Sequence, residues 1–280
     1  MTSLLFAVWL TASCTSAQGD AATTSTTATT ATAAETLPHQ TVPAESLPTR
    51  PAWLGSRPLP TDAKGFGVAT GTPPELVDRR FATIDTLPPP PDGVFESRID
   101  ALEGEPLGRS TWREGCPVDP SELRYLTVSF RGFDGLAHTG ELIVAASVAD
   151  DIVEVFHHAW EAGFPFEEMR VVTPADLDAA PTGDGNNTGS YVCRPVTGGT
   201  RFSEHAYGLA IDVNAFHNPY VRNDLVLPEL ALSYIDRSEL RPGMLGPGDP
   251  VVSAFADIGW QWGGNWSSLK DWQHFSRNGR

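Results

Sequence analysis

The amino-acid sequence predicts an α+β fold, and two patterns in the middle of the chain support this prediction. Residues 123–133 (LRYLTVSFRGF) alternate β-branched and aromatic residues with polar ones, as a strand does, and Asp134-Gly135 is a turn signal before a second strand at residues 140–145. Residues 148–162 then place apolar side chains at helical spacing and end at Gly163. A hairpin followed by an amphipathic helix favours a mixed fold.

The composition limits both the size of the fold and the class of partner. The chain has 280 residues, of which 40% are hydrophobic, and it includes 8 Trp and 13 Phe. This is enough for one sizeable core, and by length alone for two. The formal net charge is -16, and Lys64 and Lys270 are the only lysines. We therefore expect no nucleic-acid partner, because phosphate repels such a chain and it has no basic stripe.

The N-terminus has the pattern of a secretory signal. Residues 4–10 are mostly apolar and small residues follow, so we expect a signal peptide over residues 1–17 and an extracytoplasmic protein. Cys14 resembles the lipidated cysteine of bacterial lipoproteins, which would anchor the chain to the outer face of the cell membrane; no other membrane contact is expected. Thr11 and the absence of a basic residue before Arg50 argue against lipidation. Ordinary cleavage near Ala17 is the alternative.

The next segment, residues 18–94, predicts a tether in two parts. It is almost entirely Thr, Ala and Ser up to about residue 41, a composition that cannot bury enough apolar surface to order itself. It then becomes Pro-rich, which favours extended, semi-stiff chain. Residues 66–80 could hold a short element, but most of this region is expected to be linker. We therefore expect the globular domain to span residues 95–280.

Further elements are predicted within this domain. Residues 167–173 and 209–213 read as strands, and residues 251–258 as a short helix. In the second strand Leu209, Ile211 and Val213 should face the core and Asp212 the other way. The Pro-rich residues 218–250 are expected to form loops that wall a site.

Three side chains form a usual ligand set for a catalytic zinc: His205, Asp212 and His274. His205 must lie before the strand that holds Asp212, on a turn allowed by Gly208, because an odd separation along a strand would put the two on opposite faces. Asp271, three residues before His274, is a spare carboxylate that one helical turn would place on the same side. Each pair alone is more often a structural hydrogen bond than part of a metal site.

Two cysteines remain if Cys14 is removed or lipidated. Cys116 and Cys193 in an oxidising compartment predict a disulfide, with two buried free thiols as the alternative. His157 and His158 are expected to be packing or surface residues, and no ligand role is assigned to His138 or His217. Asp176 and Asp178 either touch a substrate amine or are solvated loop acids.

From about Cys116 to the C-terminus the chain resembles the D-alanyl-D-alanine carboxypeptidase family of zinc metallopeptidases. The matching motifs occur in the family's order: Asn186-Asn187-Thr188, Tyr191-Val192-Cys193-Arg194, Ser203-x-His205-Ala206-Tyr207-Gly208-x-Ala210-Ile211-Asp212-x-Asn214, Asn218-Pro219-Tyr220, Gly259-Trp260-x-Trp262-Gly263-Gly264 and Asp271-x-x-His274-Phe275.

The resemblance implies an α+β zinc-peptidase fold of the hedgehog/DD-peptidase type, with a mostly antiparallel sheet. It implies that zinc binds to the three ligands named above. Asp271 stands at the position of the family's general base, which would take a proton from the attacking water and deliver it to the leaving amine. Arg194 matches an arginine that stabilises the developing oxyanion, and Ser203 matches a serine that helps to hold the substrate.

The implied function is hydrolysis of a peptidoglycan stem peptide, with removal of the terminal D-Ala from D-Ala-D-Ala as the first hypothesis. An endopeptidase that cuts L-Ala-D-Glu or a cross-bridge could use the same site. A wall-binding module that keeps zinc without turnover is the third possibility. Asp271 and Arg194 argue against the third, since a structural zinc site needs neither.

Overall fold

A computed structural model describes residues 47–196 and 199–279. The predicted signal peptide, Cys14 and the Thr/Ala-rich tract lie outside these residues. The α-helices are α1 (Pro74–Val77), α2 (Gly104–Arg109), α3 (Ala149–Glu161), α4 (Pro174–Asp178) and α5 (Pro250–Asp257). The strands are β1 (Ser97–Ala101), β2 (Leu123–Gly132), β3 (Ala137–Ala145), β4 (Pro165–Phe166), β5 (Glu168–Met169), β6 (Asn187–Thr188), β7 (Ala210–Asp212), β8 (Tyr220–Arg222), β9 (Leu225–Leu227), β10 (Gln261–Trp262), β11 (Lys270–Asp271) and β12 (His274–Ser276).

The strands form four small sheets in the described part of the chain. Antiparallel pairing gives the strand orders β1-β2-β3, β10-β12-β7 and β11-β8-β9 in three of them. Parallel pairs also occur, between β2 and β4 and between β5 and β6. The mixed helix and strand content agrees with the predicted α+β class. The sheets are nevertheless small and mixed, and they do not form the mostly antiparallel sheet that the resemblance implied.

The core lies between the β2–β3 hairpin and helices α3 and α5. Ile152, Val155 and Phe156 on one face of α3 are buried in the same cluster as residues of β2 and β3. The predicted hairpin and helix are thus confirmed, although β3 begins three residues earlier than expected. The strand predicted over residues 167–173 forms only at Glu168–Met169. Among the residues described, no helix is long and apolar enough to cross a bilayer.

The Pro-rich segment is packed, which corrects the prediction of a linker up to residue 94. Leu76 and Phe81 are fully buried, in a cluster with residues of the segment 216–244, and Trp53 and Leu59 pack against this cluster. The burial of these apolar residues could not be predicted from the sequence, because a segment interrupted by prolines has neither helical nor strand periodicity. The folded part therefore begins well before Phe95.

Arg79 joins this segment to the rest of the fold through a buried ion pair. Its guanidinium donates to both oxygens of Glu167, at 2.8 and 3.1 Å, and to the carbonyl of Asp184 at 2.5 Å. Arg79 and Glu167 are 2% and 1% exposed. Burial alone would raise the pKa of Glu167, but the charge of Arg79 outweighs it and holds that pKa below its usual range. The N-terminal segment thus neutralises a charge in the domain interior.

His217 lies beside this ion pair, and its burial leads us to expect a lower free energy of unfolding in acid. Its Nε2 donates to the carbonyl of Arg79 at 2.8 Å, and Nδ1 accepts from Asn186 at 2.9 Å. Burial lowers the pKa of His217 to about 3. In the unfolded chain the imidazole of His217 takes up a proton near pH 6.5, whereas in the folded chain it stays neutral down to about pH 3. The free energy of unfolding should therefore fall by up to about 1.4 kcal/mol for each unit by which the pH is lowered from 6.5 towards 3.

The test of this prediction is urea unfolding of the wild type and His217→Gln at several pH values between 4 and 7.5. The variant should be less stable at pH 7 but should show the shallower pH dependence. Equal slopes for both proteins would contradict the assignment of this proton to His217.

A second prediction concerns Asp249 at the start of α5. Its carboxylate accepts a hydrogen bond from Val251 N at 2.8 Å, as an N-cap does, yet burial raises its pKa to about 6. Since the folded pKa is raised, Asp249 favours folding at low pH, and this contribution is lost as pH rises through about 6. Asp249→Asn keeps a good cap without the charge and should stabilise the fold by about 1–2 kcal/mol at pH 8 and by much less at pH 4. Thermal melts of this variant and of Asp249→Ala, which loses the cap, measure the difference.

Candidate metal centre and active site

Asp212 and His274 are brought together by strand pairing. In the antiparallel ladder between β7 and β12 the two residues are direct partners, so their side chains emerge on the same face. His274 Nδ1 lies 2.9 Å from Asp212 Oδ1. As predicted, Ile211 and Val213 on either side of Asp212 are fully buried.

His205 reaches the same point from a 3₁₀ turn, Glu204–Tyr207, that precedes β7. Gly208 ends this turn with φ of 68°, and a Cβ there would lie 2.5 Å from Ala145 N, so glycine is required. The ring is oriented by a hydrogen bond from Nδ1 to the carbonyl of Ser190 at 2.5 Å. In the neutral ring this hydrogen bond places the proton on Nδ1 and leaves Nε2 available as a metal ligand.

The three side chains present their donor atoms to one point. His205 Nε2 lies 3.2 Å from Asp212 Oδ2 and 3.3 Å from His274 Nδ1. Four ligands held about 2.0–2.1 Å from a zinc ion in a tetrahedron lie about 3.3–3.4 Å from one another. Two imidazole nitrogens and one carboxylate at these separations fit a zinc ion.

The electrostatics of Asp212 agree with a site for a cation. Burial alone would raise the pKa of Asp212, but the charges and hydrogen bonds of His205 and His274 outweigh it and hold that pKa well below its usual range. The carboxylate is therefore ionised and ready to bind a positive ion.

Asp271 lies beside the ligands, but not through the helical turn that the sequence suggested. It ends β11, and a two-residue turn, Trp272-Gln273, leads to His274 at the start of β12. Trp262 fixes this turn, because its Nε1 donates to the carbonyl of Trp272 at 2.7 Å. Gly263 lets the strand approach closely, since a Cβ there would lie 2.5 Å from the carbonyl oxygen of Asp271. A spacing of three thus reflects a tight turn between short strands.

The carboxyl group of Asp271 is suited to proton transfer. Burial raises its pKa to about 7; the nearby charge of His274 opposes this shift, and that of Asp212 adds to it. Within the described residues its Oδ1 is buried without a hydrogen-bond partner. A buried acceptor of this kind can accept a hydrogen bond from a substrate or a water molecule that is held at the site.

Arg194 and Ser203 are neighbouring residues of the same pocket. They lie on a short ladder in which Ser203 N donates to Arg194 O at 3.1 Å, and both line the pocket that contains the three ligands. Cys116 and Cys193 form a disulfide next to Arg194. The disulfide fixes the chain that also provides the Ser190 carbonyl beneath His205.

The pocket has a volume of about 690 Å³ and brings all the predicted site residues except the cysteines to one cavity. It also includes residues to which the sequence assigned no individual role, among them Tyr220, Arg222, Glu229 and Leu269. Asp176 and Asp178 do not line this pocket, and Asp176 instead pairs with Arg170 at 2.8 Å. Only the Asn-Pro-Tyr motif pointed to Tyr220, and no local pattern marks the other three.

A comparison with known families agrees with this geometry. Residues 197–277 match the sequence model of a family described as D-alanyl-D-alanine carboxypeptidase. The resemblance to that family is confirmed. The matched segment contains all three candidate ligands and Asp271, and it supports a peptidase. No curated protein and no solved structure gives a significant match to the chain.

Proposed function

We propose that this protein is an exported, zinc-dependent peptidase of peptidoglycan stem peptides that removes the terminal D-Ala from D-Ala-D-Ala. The observation that supports it most is the convergence of His205, Asp212 and His274 in a pocket that also holds Asp271. We further infer the zinc-peptidase fold of the hedgehog/DD-peptidase type. Export, with or without a lipid on Cys14, would bring the enzyme to this substrate.

His205, Asp212 and His274 would hold the zinc ion, which when bound polarises the substrate carbonyl and acidifies water. Asp271 accepts the proton of the attacking water at its unpartnered oxygen and returns it to the nitrogen of the leaving D-Ala. A pKa near neutrality lets one carboxyl group do both. Arg194 provides a positive charge in the same pocket for the oxygen that becomes negative. Ser203 helps to hold the peptide beside it.

The size of the pocket favours a second candidate function, cleavage within a longer peptide. The cavity continues past Asp271 to Leu227 and Glu229, well beyond the space that one terminal alanine needs. An endopeptidase acting on L-Ala-D-Glu or on a cross-bridge would use the same metal site and the same carboxyl group.

Metal analysis tests the central element of the proposal. The purified protein should bind one zinc ion, and a chelator should abolish hydrolysis of an acyl-D-Ala-D-Ala peptide until zinc is restored. His205→Ala should lose both zinc and activity. Full activity in the chelated, zinc-free protein would contradict the proposal.

A further inference from the structure

Glu229 is a buried carboxylate at the wall of the pocket. It is 8% exposed, yet it lines the cavity. Its Oε1 accepts a hydrogen bond from Gly67 N at 2.7 Å. Across residues 47–196 and 199–279, no Lys, Arg or His forms an ion pair with it, and its Oε2 has no hydrogen-bond partner. Because Oε2 is not one of the buried unpartnered atoms of the described residues, it is open to the cavity.

The register of the third sheet places Glu229 at a defined distance from the reaction centre. Asp271 on β11 pairs with Tyr220 on β8, which pairs with Leu227 on β9, so the three side chains form a row across the sheet. All three line the pocket. Two strand spacings separate Leu227 from Asp271 by about 10 Å. Glu229 lies two residues beyond Leu227 along the chain, so its carboxylate lies on the order of 10 Å from the reaction centre, a distance that a peptide residue with an extended lysine-like side chain can span.

The Pro-rich segment holds Glu229 in this position. Gly67 supplies the hydrogen bond to its carboxylate, and Leu59 packs against the loop on its other side. A Cβ at Gly183 would lie 2.6 Å from Leu59 Cδ1 and 3.3 Å from Glu229 Cβ, so these groups are closely packed. Leu59 N also donates to the carbonyl of Pro181 at 2.8 Å. The segment therefore supports the wall of the pocket from behind, while none of its described residues lines the cavity itself.

We propose that Glu229 binds a free ammonium group of the peptide substrate, so that the pocket prefers a peptide with an unmodified side-chain amine near the scissile bond. This inference rests on the proposed peptidase function for the kind of ligand, but not on turnover. The fixed Oε1 leaves Oε2 for a charge-assisted hydrogen bond from the ammonium group, which supplies the missing positive charge. Acylation of the amine removes the charge and therefore the preference.

Calorimetric binding tests this with two peptides that differ only at one amine. Nα-acetyl-L-Lys-D-Ala-D-Ala has a free side-chain ammonium, and the Nα,Nε-diacetyl peptide does not. Binding is measured with the zinc-loaded Asp271→Asn protein, so that hydrolysis does not interfere, and again after adding Glu229→Gln. The amide oxygen in this variant can still accept from Gly67 N, and a thermal melt reports whether the fold is kept. Asp224→Asn, exposed on the turn before β9 and outside the pocket, is the control for the same change in net charge.

We expect the free-amine peptide to bind about tenfold more tightly or better, with the ratio falling to about one in Glu229→Gln and staying unchanged in Asp224→Asn. A ratio that survives Glu229→Gln, equal binding of the two peptides, or binding of neither would overturn the inference. The wild type separates this result from the proposed function. Equal hydrolysis and equal binding of both peptides would refute the ammonium site alone, whereas an intact binding ratio without hydrolysis of either peptide would refute the peptidase.

Discussion

Replacing Asp271 by Asn should lower kcat about 1,000-fold while leaving the zinc content unchanged. Asn occupies almost the same space, so the turn from β11 to β12 and the position of His274 should be kept. The amide cannot accept the proton that the carboxylate takes at its buried Oδ1. Steady-state kinetics on an acyl-D-Ala-D-Ala peptide, together with metal analysis, measures both effects.

The matched control for this change is Asp224→Asn, which alters the net charge equally but lies outside the pocket. It should retain wild-type kcat. A variant Asp271→Asn with normal activity would show that another group moves the proton. Loss of zinc in that variant would instead make Asp271 a ligand, which the present geometry does not predict.

Replacing Arg79 by Leu should reduce the free energy of unfolding by about 3–5 kcal/mol, the usual cost of leaving one member of a buried ion pair alone. Glu167 would lose its bidentate partner in a site that is 1% exposed. Arg50 lies 3.2 Å from the same carboxylate but is itself 30% exposed, so it can compensate only in part. Urea unfolding of the two proteins measures the difference.

Arg80 provides the comparison, since it is the next residue and pairs only with the exposed Asp78 in the described structure. Arg80→Leu should cost less than about 1 kcal/mol. Similar losses for the two variants would mean that the Arg79–Glu167 pair does not tie the N-terminal segment to the fold.

The same reasoning predicts that a chain beginning at residue 95 is unstable and that one beginning at residue 47 is not.

The elements that could be predicted from the sequence are those with a clear apolar period. Helix α3 and the β2–β3 hairpin show the spacing that burial of one face requires, and they appear where that spacing indicated. The segment from Trp53 to Phe81 has no such period, because single apolar residues anchor it between prolines. Its packing depends on partners more than 100 residues away, such as Glu229 and Asp184, which local patterns do not reveal.

The candidate site divides in a similar way. His205, Asp212 and His274 could be predicted because they form a usual ligand set for zinc, and together with Asp271 they match the motifs of the carboxypeptidase family in order. The relation between Asp271 and His274 was expected from a helix and comes instead from a turn between two strands, since a spacing of three fits both. The place of Glu229 in the pocket could not be predicted, because an acidic residue after Leu227-Pro228 is ordinary in a loop. Its position relative to Asp271 follows only from the β11-β8-β9 register.

Digestion of purified muropeptides by residues 47–280, followed by mass spectrometry, tests the proposed function most directly. The protein is used with zinc, with a chelator and as Asp271→Asn. The account predicts that pentapeptide stems lose one terminal Ala, and that both the chelator and the variant abolish this loss. Cleavage between Ala and Glu, or at a cross-link, would show that the same site acts as an endopeptidase. A zinc-loaded wild-type protein that releases nothing from any stem would contradict the account.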